Sequence, residues 1–226
     1  MGTAERRARE KRRRRREILD AARQEFFDRG FHHPTVDDVA ARAQVSKGTI
    51  YLYFESKEEI LAHLLLEGLD LLLHDMQAAY DPAHQVAAQS PSPHSTEAAL
   101  KALANAYLQF CQSNPSYFRL IMAFDRGRFE ESISSELYQQ VLDRSLRGLD
   151  LLAQTLENGN QKGDLCVQDP WQAAGSVWAA LNGVLVLMAH PLRQRILRTN
   201  LTTMFQDTLG LVLDGLAASR PTDGCP

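Results

Sequence analysis

Val45-Ser46-Lys47-Gly48-Thr49-Ile50-Tyr51-Leu52-Tyr53-Phe54-Glu55-Ser56-Lys57 reads as a tight turn, one short helix, a second turn and the start of a long helix. Ser46 is a natural N-cap, because its hydroxyl can accept from a free backbone N–H of the turn that follows. Ser56 opens a capping box with Glu59, just ahead of the apolar pair Ile60-Leu61. The helix between the two caps is too short to be stable by itself and needs tertiary support. Ile50 and Phe54 give it an apolar back. Its front carries Lys47, the hydroxyls of Thr49 and Tyr51, the phenol of Tyr53, and no side chain at Gly48. Lys, Thr and Tyr are donors suited to phosphate oxygens and base edges, and a glycine lets a helix approach a surface closely. A rod of this kind fits a groove.

The residues upstream supply the other half of a helix-turn-helix. Thr35-Val36-Asp37-Asp38 is a second capping-box pattern, and Val36, Val39, Ala40 and Ala43 are spaced to bury one face of a two-turn helix. Gln44-Val45-Ser46 is then a turn of the length such motifs use. Before it, Ile18, Leu19, Ala22, Phe26 and Phe27 recur at helical spacing, and Gly30 follows Arg29 as a helix-ending residue. Three short helices sharing one apolar core are therefore expected early in the chain.

With these residues in place, Ile18 to Ile60 resembles the N-terminal DNA-binding domain of the TetR family of bacterial transcription regulators. Phe26-Phe27-Asp28-Arg29-Gly30-Phe31, the Thr35–Ala40 helix and the run from Val45 to Ile60 carry the likeness together. The resemblance implies an all-α fold, with a three-helix DNA-binding domain over residues 1–56 and a larger helical ligand-binding and dimerisation domain over 57–226. It implies that Lys47, Thr49, Tyr51 and Tyr53, on the helix that Ser46 and Gly48 begin, contact the groove and phosphates. Thr35 and Lys57 would bind phosphate at helix N-termini, where free N–H groups help. The plain alternatives are that Thr35 only caps, Tyr51 only packs and Lys57 is only solvated.

The charge distribution agrees with a nucleic-acid-binding head. Residues 1–57 hold 14 Lys/Arg against 9 Asp/Glu, and residues 58–226 hold 11 against 19. A basic head on an acidic body leaves the head to meet a polyanion. Its most basic part is Lys11-Arg12-Arg13-Arg14-Arg15-Arg16. This run is either a solvated extension of the first helix with a frayed tip, or an arm, with Arg13 and Arg16 among its contacts, that follows phosphates or enters the minor groove.

Cys111, Cys166 and Cys225 form no CxxC pair and are odd in number, which argues for reduced thiols and a cytoplasmic protein. The arginine run leads into an amphipathic helix rather than an apolar one, so no signal peptide is expected. The leucine-rich stretch from Ile60 to Met76 is broken by His63, Glu67, Asp70, His74 and Asp75 and does not read as a membrane span. His63, Glu67, Asp70 and His74 share one helical face, as metal ligands or, more simply, as the polar side of a half-exposed helix; we expect no metal and no cofactor.

Downstream, a helix is expected from Lys57 to about Tyr80, then a proline-bearing loop from Asp81 to Ser95. Helices follow over Thr96–Ser113, from Asn114-Pro115 to Phe124, over about 132–162 with Gly163 ending it, from Asp169-Pro170 onward, and over 197–217, with a charged connection over 125–131. The helix after Asp169 is apolar nearly all round, which leaves no side for water. Trp171, Trp178, Leu181, Leu185 and Met188, with Leu201, Phe205, Leu209 and Val212 of the last helix, would close a four-helix homodimer interface, the alternative being burial within one chain alone. Tyr107, Phe110, Cys111, Phe118, Met122, Tyr138, Trp178 and Asn182 would suit a pocket for a mostly apolar effector, although aromatic and Met positions at this spacing are also plain core.

No Gly-x-Ser-x-Gly, His-Glu-x-x-His or phosphate-binding glycine loop is present, so an enzyme is not expected. The reading is a ligand-responsive repressor that binds a palindromic double-stranded DNA operator as a homodimer and is released by a small apolar molecule. The alternative is a protein that coats DNA through its arginine arm without reading sequence.

Overall fold

A computed structural model of the chain describes residues 3–89, 95–124 and 129–218, and the regular structure among them is helical. The helices are α1 (Thr3–Arg29), α2 (Val36–Arg42), α3 (Lys47–Tyr51), α4 (Lys57–Gln89), α5 (Ser95–Ser113), α6 (Pro115–Phe124), α7 (Phe129–Ser132), α8 (Ser135–Gln161), α9 (Pro170–Met188), α10 (Pro191–Leu197) and α11 (Leu201–Ala218). They fall into two compact units. One comprises Met1–Asp70 and Pro115–Asp143, the other Leu71–Asn114 and Arg144–Pro226.

In the first unit, Ile18, Leu19, Ala22 and Phe26 of α1 share a buried cluster with Val36, Val39 and Ala40 of α2. Ile50 of α3, Phe54 just after it, and Ile60, Leu61, Leu64 and Leu65 of α4 complete the centre, with Leu120 of α6 and Leu137 and Val141 of α8. Gly30, at φ +83°, ends α1 in the left-handed conformation that glycine adopts without strain. Thr35 Oγ1 accepts from the Asp38 N–H at 3.3 Å, and the Asp38 carboxylate accepts from the Thr35 N–H at 2.7 Å, so the first capping box is complete. The second closes differently. Ser56 Oγ accepts from the Glu59 N–H at 3.0 Å, but the Glu59 carboxylate reaches past Ser56 to the N–H of Glu55. Buried Glu25 holds Arg29 and Arg42, the latter at 2.6 Å, which ties α1 to α2 with its charge compensated.

Glu67 of α4 is the polar centre of this unit. Its Oε2 accepts from Arg23 Nη2 of α1 at 2.9 Å and from the Tyr117 hydroxyl of α6 at 3.0 Å. A Cβ on the neighbouring Gly68 would lie 2.7 Å from Tyr117 Cδ1, so glycine is what lets α6 sit this close to α4. Burial works against the Arg23 charge, yet the Glu67 carboxylate outweighs it and the guanidinium pKa is raised.

In the second unit α9 packs on α11 and α10, and α11 on α5. Leu103, Phe110, Leu156, Leu181, Leu185, Met188, Phe205 and Leu209 are buried there. Asp169 caps α9 by accepting from the N–H groups of Trp171 and Gln172 at 2.9 and 3.0 Å, with Pro170 at the first helical position. By length and composition alone α9 could cross a bilayer, but here it is a packed helix.

Several expectations need correction. The arginine run is not a frayed tip, since α1 is helical from Thr3 onward. The loop placed at Asp81–Ser95 is helical as far as Gln89, because one proline removes one hydrogen bond and Ala83, Ala87 and Ala88 favour helix; residues 90–94 lie outside the described residues. Part of the charged connection over 125–131 is the short helix α7, and residues 125–128 lie outside the described residues. The last helix starts at Leu201 rather than Leu197, since Arg198 turns left-handed at φ +53° and closes α10, which the sequence reading missed. His190-Pro191 had announced α10 with the same cap-and-proline signature as Asp169-Pro170. Cys166 is disulfide-bonded where a thiol was expected; an odd count of cysteines excludes complete pairing, not a single bridge.

Candidate nucleic-acid interface

The Ser46 hydroxyl accepts from the Thr49 N–H at 3.1 Å and lies 2.8 Å from Thr49 Oγ1, which fixes the start of α3. Ile50 and Phe54 are fully buried, so the short helix is held by its back. Lys47 and Gly48 face outward, Tyr51 is 48% exposed and Leu52 is 75% exposed. The Lys47 ammonium stands 2.7 Å from the Asp37 carboxylate, which raises its pKa. An exposed pair of this sort has little net strength and can exchange its carboxylate for a phosphate. A Cβ on Gly48 would meet only Ser46 Oγ, at an ordinary 3.8 Å, so nothing inside the chain requires glycine there.

Other expected contacts sit differently. Thr49 is half-buried with its hydroxyl beside Ser46, and Tyr53 is half-buried against the core of the first unit. Both hydrogen-bonding groups of the Thr35 cap go to Asp38, whose carboxyl pKa is drawn down to about 2 chiefly by the Thr35 hydroxyl and N–H. Lys57 donates to the His32 carbonyl at 3.0 Å and stands 5.7 Å over the Phe26 ring, and burial lowers its pKa. Arg13 pairs within its own helix with Glu10 and Glu17, whereas Arg16 is exposed. Leu52, which the sequence reading left aside, is exposed beside Tyr51.

Two family models match the chain. Residues 18–64 match bacterial regulatory proteins of the tetR family, and residues 100–209 match the tetracyclin repressor-like C-terminal domain. The chain belongs to the TetR family.

Its relatives are DNA-binding regulators. The fatty acid metabolism regulator protein of Bacillus subtilis is 39% identical over 61 residues, 27% of this chain and 31% of that protein. The transcriptional activator FasR of Mycolicibacterium smegmatis is 30% identical over 112 residues, 50% of this chain and 47% of its own. The match thus spans less than half the length of either relative. Among solved structures, the TetR-family regulator PfmR of Thermus thermophilus shares the fold with a TM-score of 0.64 at 23% identity, covering 88% of this chain and 98% of that one. The fatty acid degradation regulator FadR of Bacillus halodurans does so with 0.57 at 23% identity, covering 88% and 94%.

For this TetR-family regulator, the body residues divide between the units. Tyr107, Phe110, Cys111, Trp178 and Asn182 belong to the second, whereas Phe118, Met122 and Tyr138 belong to the first. Within the second, the Tyr107 hydroxyl donates to Asn182 Oδ1 at 2.6 Å, and Asn182 Nδ2 is buried with no hydrogen-bond partner. Burial pushes the Cys111 thiol up to about 12. Trp178 points elsewhere and is 42% exposed.

The residues expected at a dimer interface also need sorting. Leu181, Leu185, Met188, Phe205 and Leu209 are buried in the chain's own core, so they are not free to face a second copy. Leu201 and Val212 of α11 are half-buried. Trp171 and Trp178 are exposed, joined by Val186 and Leu187 of α9 and Leu211 of α11. Among the described residues no group of three or more His, Cys, Asp or Glu could hold a metal ion.

Proposed function

We propose that this regulator is a ligand-responsive repressor that binds a palindromic operator as a homodimer in the cytoplasm and is released by a mostly apolar small molecule. Residues 1–56 read DNA, and residues 57–226 sense and dimerise. The observation that carries this reading is the presentation of α3: its apolar back is locked in the core while Lys47, Gly48, Tyr51 and Leu52 face outward. One such helix reaches only a few base pairs. Two related by a twofold axis read half-sites about 34 Å apart or a multiple of that.

The outer side of α9 and α11 supports the dimer. A Cβ on Gly175, Gly183, Gly210 or Gly215 would meet nothing within 4 Å. Glycine inside a helix costs about 1 kcal/mol relative to alanine, and for Gly175, Gly183 and Gly210 no side chain among the described residues offsets that cost. Close approach of a second chain, with Trp171, Trp178 and Leu211 covered, offsets it. For the effector, the name of the Bacillus subtilis relative makes fatty acids the first to try.

The test is selection of duplexes from a random pool by the whole chain, followed by sedimentation of the protein alone and on the selected duplex. We expect a palindromic site, a dimer, and affinity at least about a thousandfold above that for random DNA. A DNA-coating protein would show almost no preference, and a strictly monomeric chain would remove the twofold argument.

A further inference from the structure

The six cations from Lys11 to Arg16 are alike in sequence, but α1 sorts them by angle. Arg13 and Arg14 pair with glutamates of their own helix, and Lys11, Arg12 and Arg16 are exposed. Arg14 and Arg15 are half-buried, and Arg15 stands 4, 7 and 11 residues before the buried Leu19, Ala22 and Phe26. Its guanidinium carbon lies 4.8 Å over the centre of the Phe54 ring, and its Nη2 bonds Nε2 of His63. Arginine has no acceptor, so Nε2 of His63 must accept and the imidazole is neutral with its proton on Nδ1. Burial and the Arg15 charge both lower the His63 pKa, which agrees. The His63 ring also meets Phe54 edge-on at 5.8 Å.

Phe54 closes the turn after α3 and is 1% exposed, so whatever rests on it is referenced to the DNA-reading helix. Residues 4–13 of α1 are exposed, and Arg15 is where that half of the helix meets the core. Its flat face and one N–H edge are already engaged.

We propose that Arg15 is a positioning residue for DNA recognition. It docks the cation-bearing half of α1 on Phe54 and His63, so that Arg12 and Arg16 meet the phosphate backbone in fixed register with α3, and it makes no phosphate contact of its own. The proposal rests on the DNA-reading role of α3 and goes beyond it.

The experiment measures affinity of the full chain for a pool-selected duplex and for a random duplex over a range of salt concentrations. Failure of the native chain to prefer any duplex would defeat the DNA-reading role itself, before any variant is compared. Arg15→Met should weaken specific binding about three- to thirtyfold. It should leave random-duplex affinity and the salt slope at native values. Arg16→Ala, by contrast, should lower the slope by about 0.9 and weaken both duplexes together. His63→Leu should reproduce Arg15→Met, with the double variant no worse than either single one. A slope reduced by about 0.9 in Arg15→Met would show a phosphate contact. Equal losses on both duplexes at unchanged slope would show a merely structural residue, and unchanged specific affinity would show no role. Each of these three results overturns the proposal.

Discussion

Replacing Gly48 with alanine sets stability against DNA binding. Inside the chain the new methyl would have room, since its closest neighbour is Ser46 Oγ at 3.8 Å, and no positive φ makes glycine necessary. Alanine favours helix over glycine by about 0.5–1 kcal/mol, which should raise the melting temperature by about 1–4 °C. On DNA the same methyl would be forced into a surface pressed against the duplex. Overfilling a packed contact costs about 1–3 kcal/mol, a loss of about five- to about 150-fold in affinity. Thermal denaturation followed by circular dichroism, with fluorescence anisotropy on the selected duplex, measures both quantities on one preparation. Raised stability with weakened binding is the expected pair. Undiminished affinity would refute the close approach of α3 to DNA, and lowered stability would refute the account of the space around Gly48.

Leu52, 75% exposed beside Tyr51, is placed for apolar contact with a thymine methyl. Uracil for thymine at one half-site position should weaken the native chain by about 1 kcal/mol and leave Leu52→Ala indifferent, as competition binding would show. His63 has its pKa lowered from 6.5 by burial and Arg15, with Glu59 and Glu67 opposing. As pH falls below 6.5 the unfolded chain takes up a proton that the folded one resists, so stability should fall from 6.5 toward the lowered value and stay flat above 6.5. His63→Gln should flatten that loss in urea titrations. Asn182→Leu removes the 2.6 Å hydrogen bond that the buried Tyr107 hydroxyl donates and should cost about 1–3 kcal/mol, whereas Asn182→Leu with Tyr107→Phe should recover part of that loss in the same assay.

The helix-turn-helix half was legible because its signals are local. Caps at Thr35 and Ser46, the turn at Gln44–Ser46 and the buried backs of α2 and α3 depend on residues within a turn or two of one another. Where a side chain had several possible partners, sequence was silent. Nothing in Lys57 distinguishes a phosphate ligand from a lysine bonded to the His32 carbonyl, because that partner stands 25 residues away. Helix periodicity marked both apolar sides of α9 without saying which is inward. The inward side takes Ala174, Val177, Leu181, Val184, Leu185 and Met188, whereas Trp171 and Trp178 stay exposed. The grouping of Pro115–Asp143 with the head rests on contacts between residues some fifty apart, such as Glu67 with Tyr117.

That grouping bears on the proposed release by an effector. An effector can change DNA affinity only if it favours one arrangement of the reading helices over another. Glu67 takes hydrogen bonds from α1 through Arg23 and from α6 through Tyr117, and both reach the same carboxylate oxygen. A shift of α6 therefore changes the partner set of the residue that holds Arg23, and Gly68 leaves no slack between α6 and α4, with 2.7 Å to the Tyr117 ring. Phe27 packs edge-on against the same ring at 4.9 Å, so α1 is touched by Tyr117 directly as well. In a core this tight, small displacements are transmitted rather than absorbed. Within the first unit α6 already grips α1, so a ligand that moved α6 would have a polar and an aromatic handle on the helix that carries the arginine face.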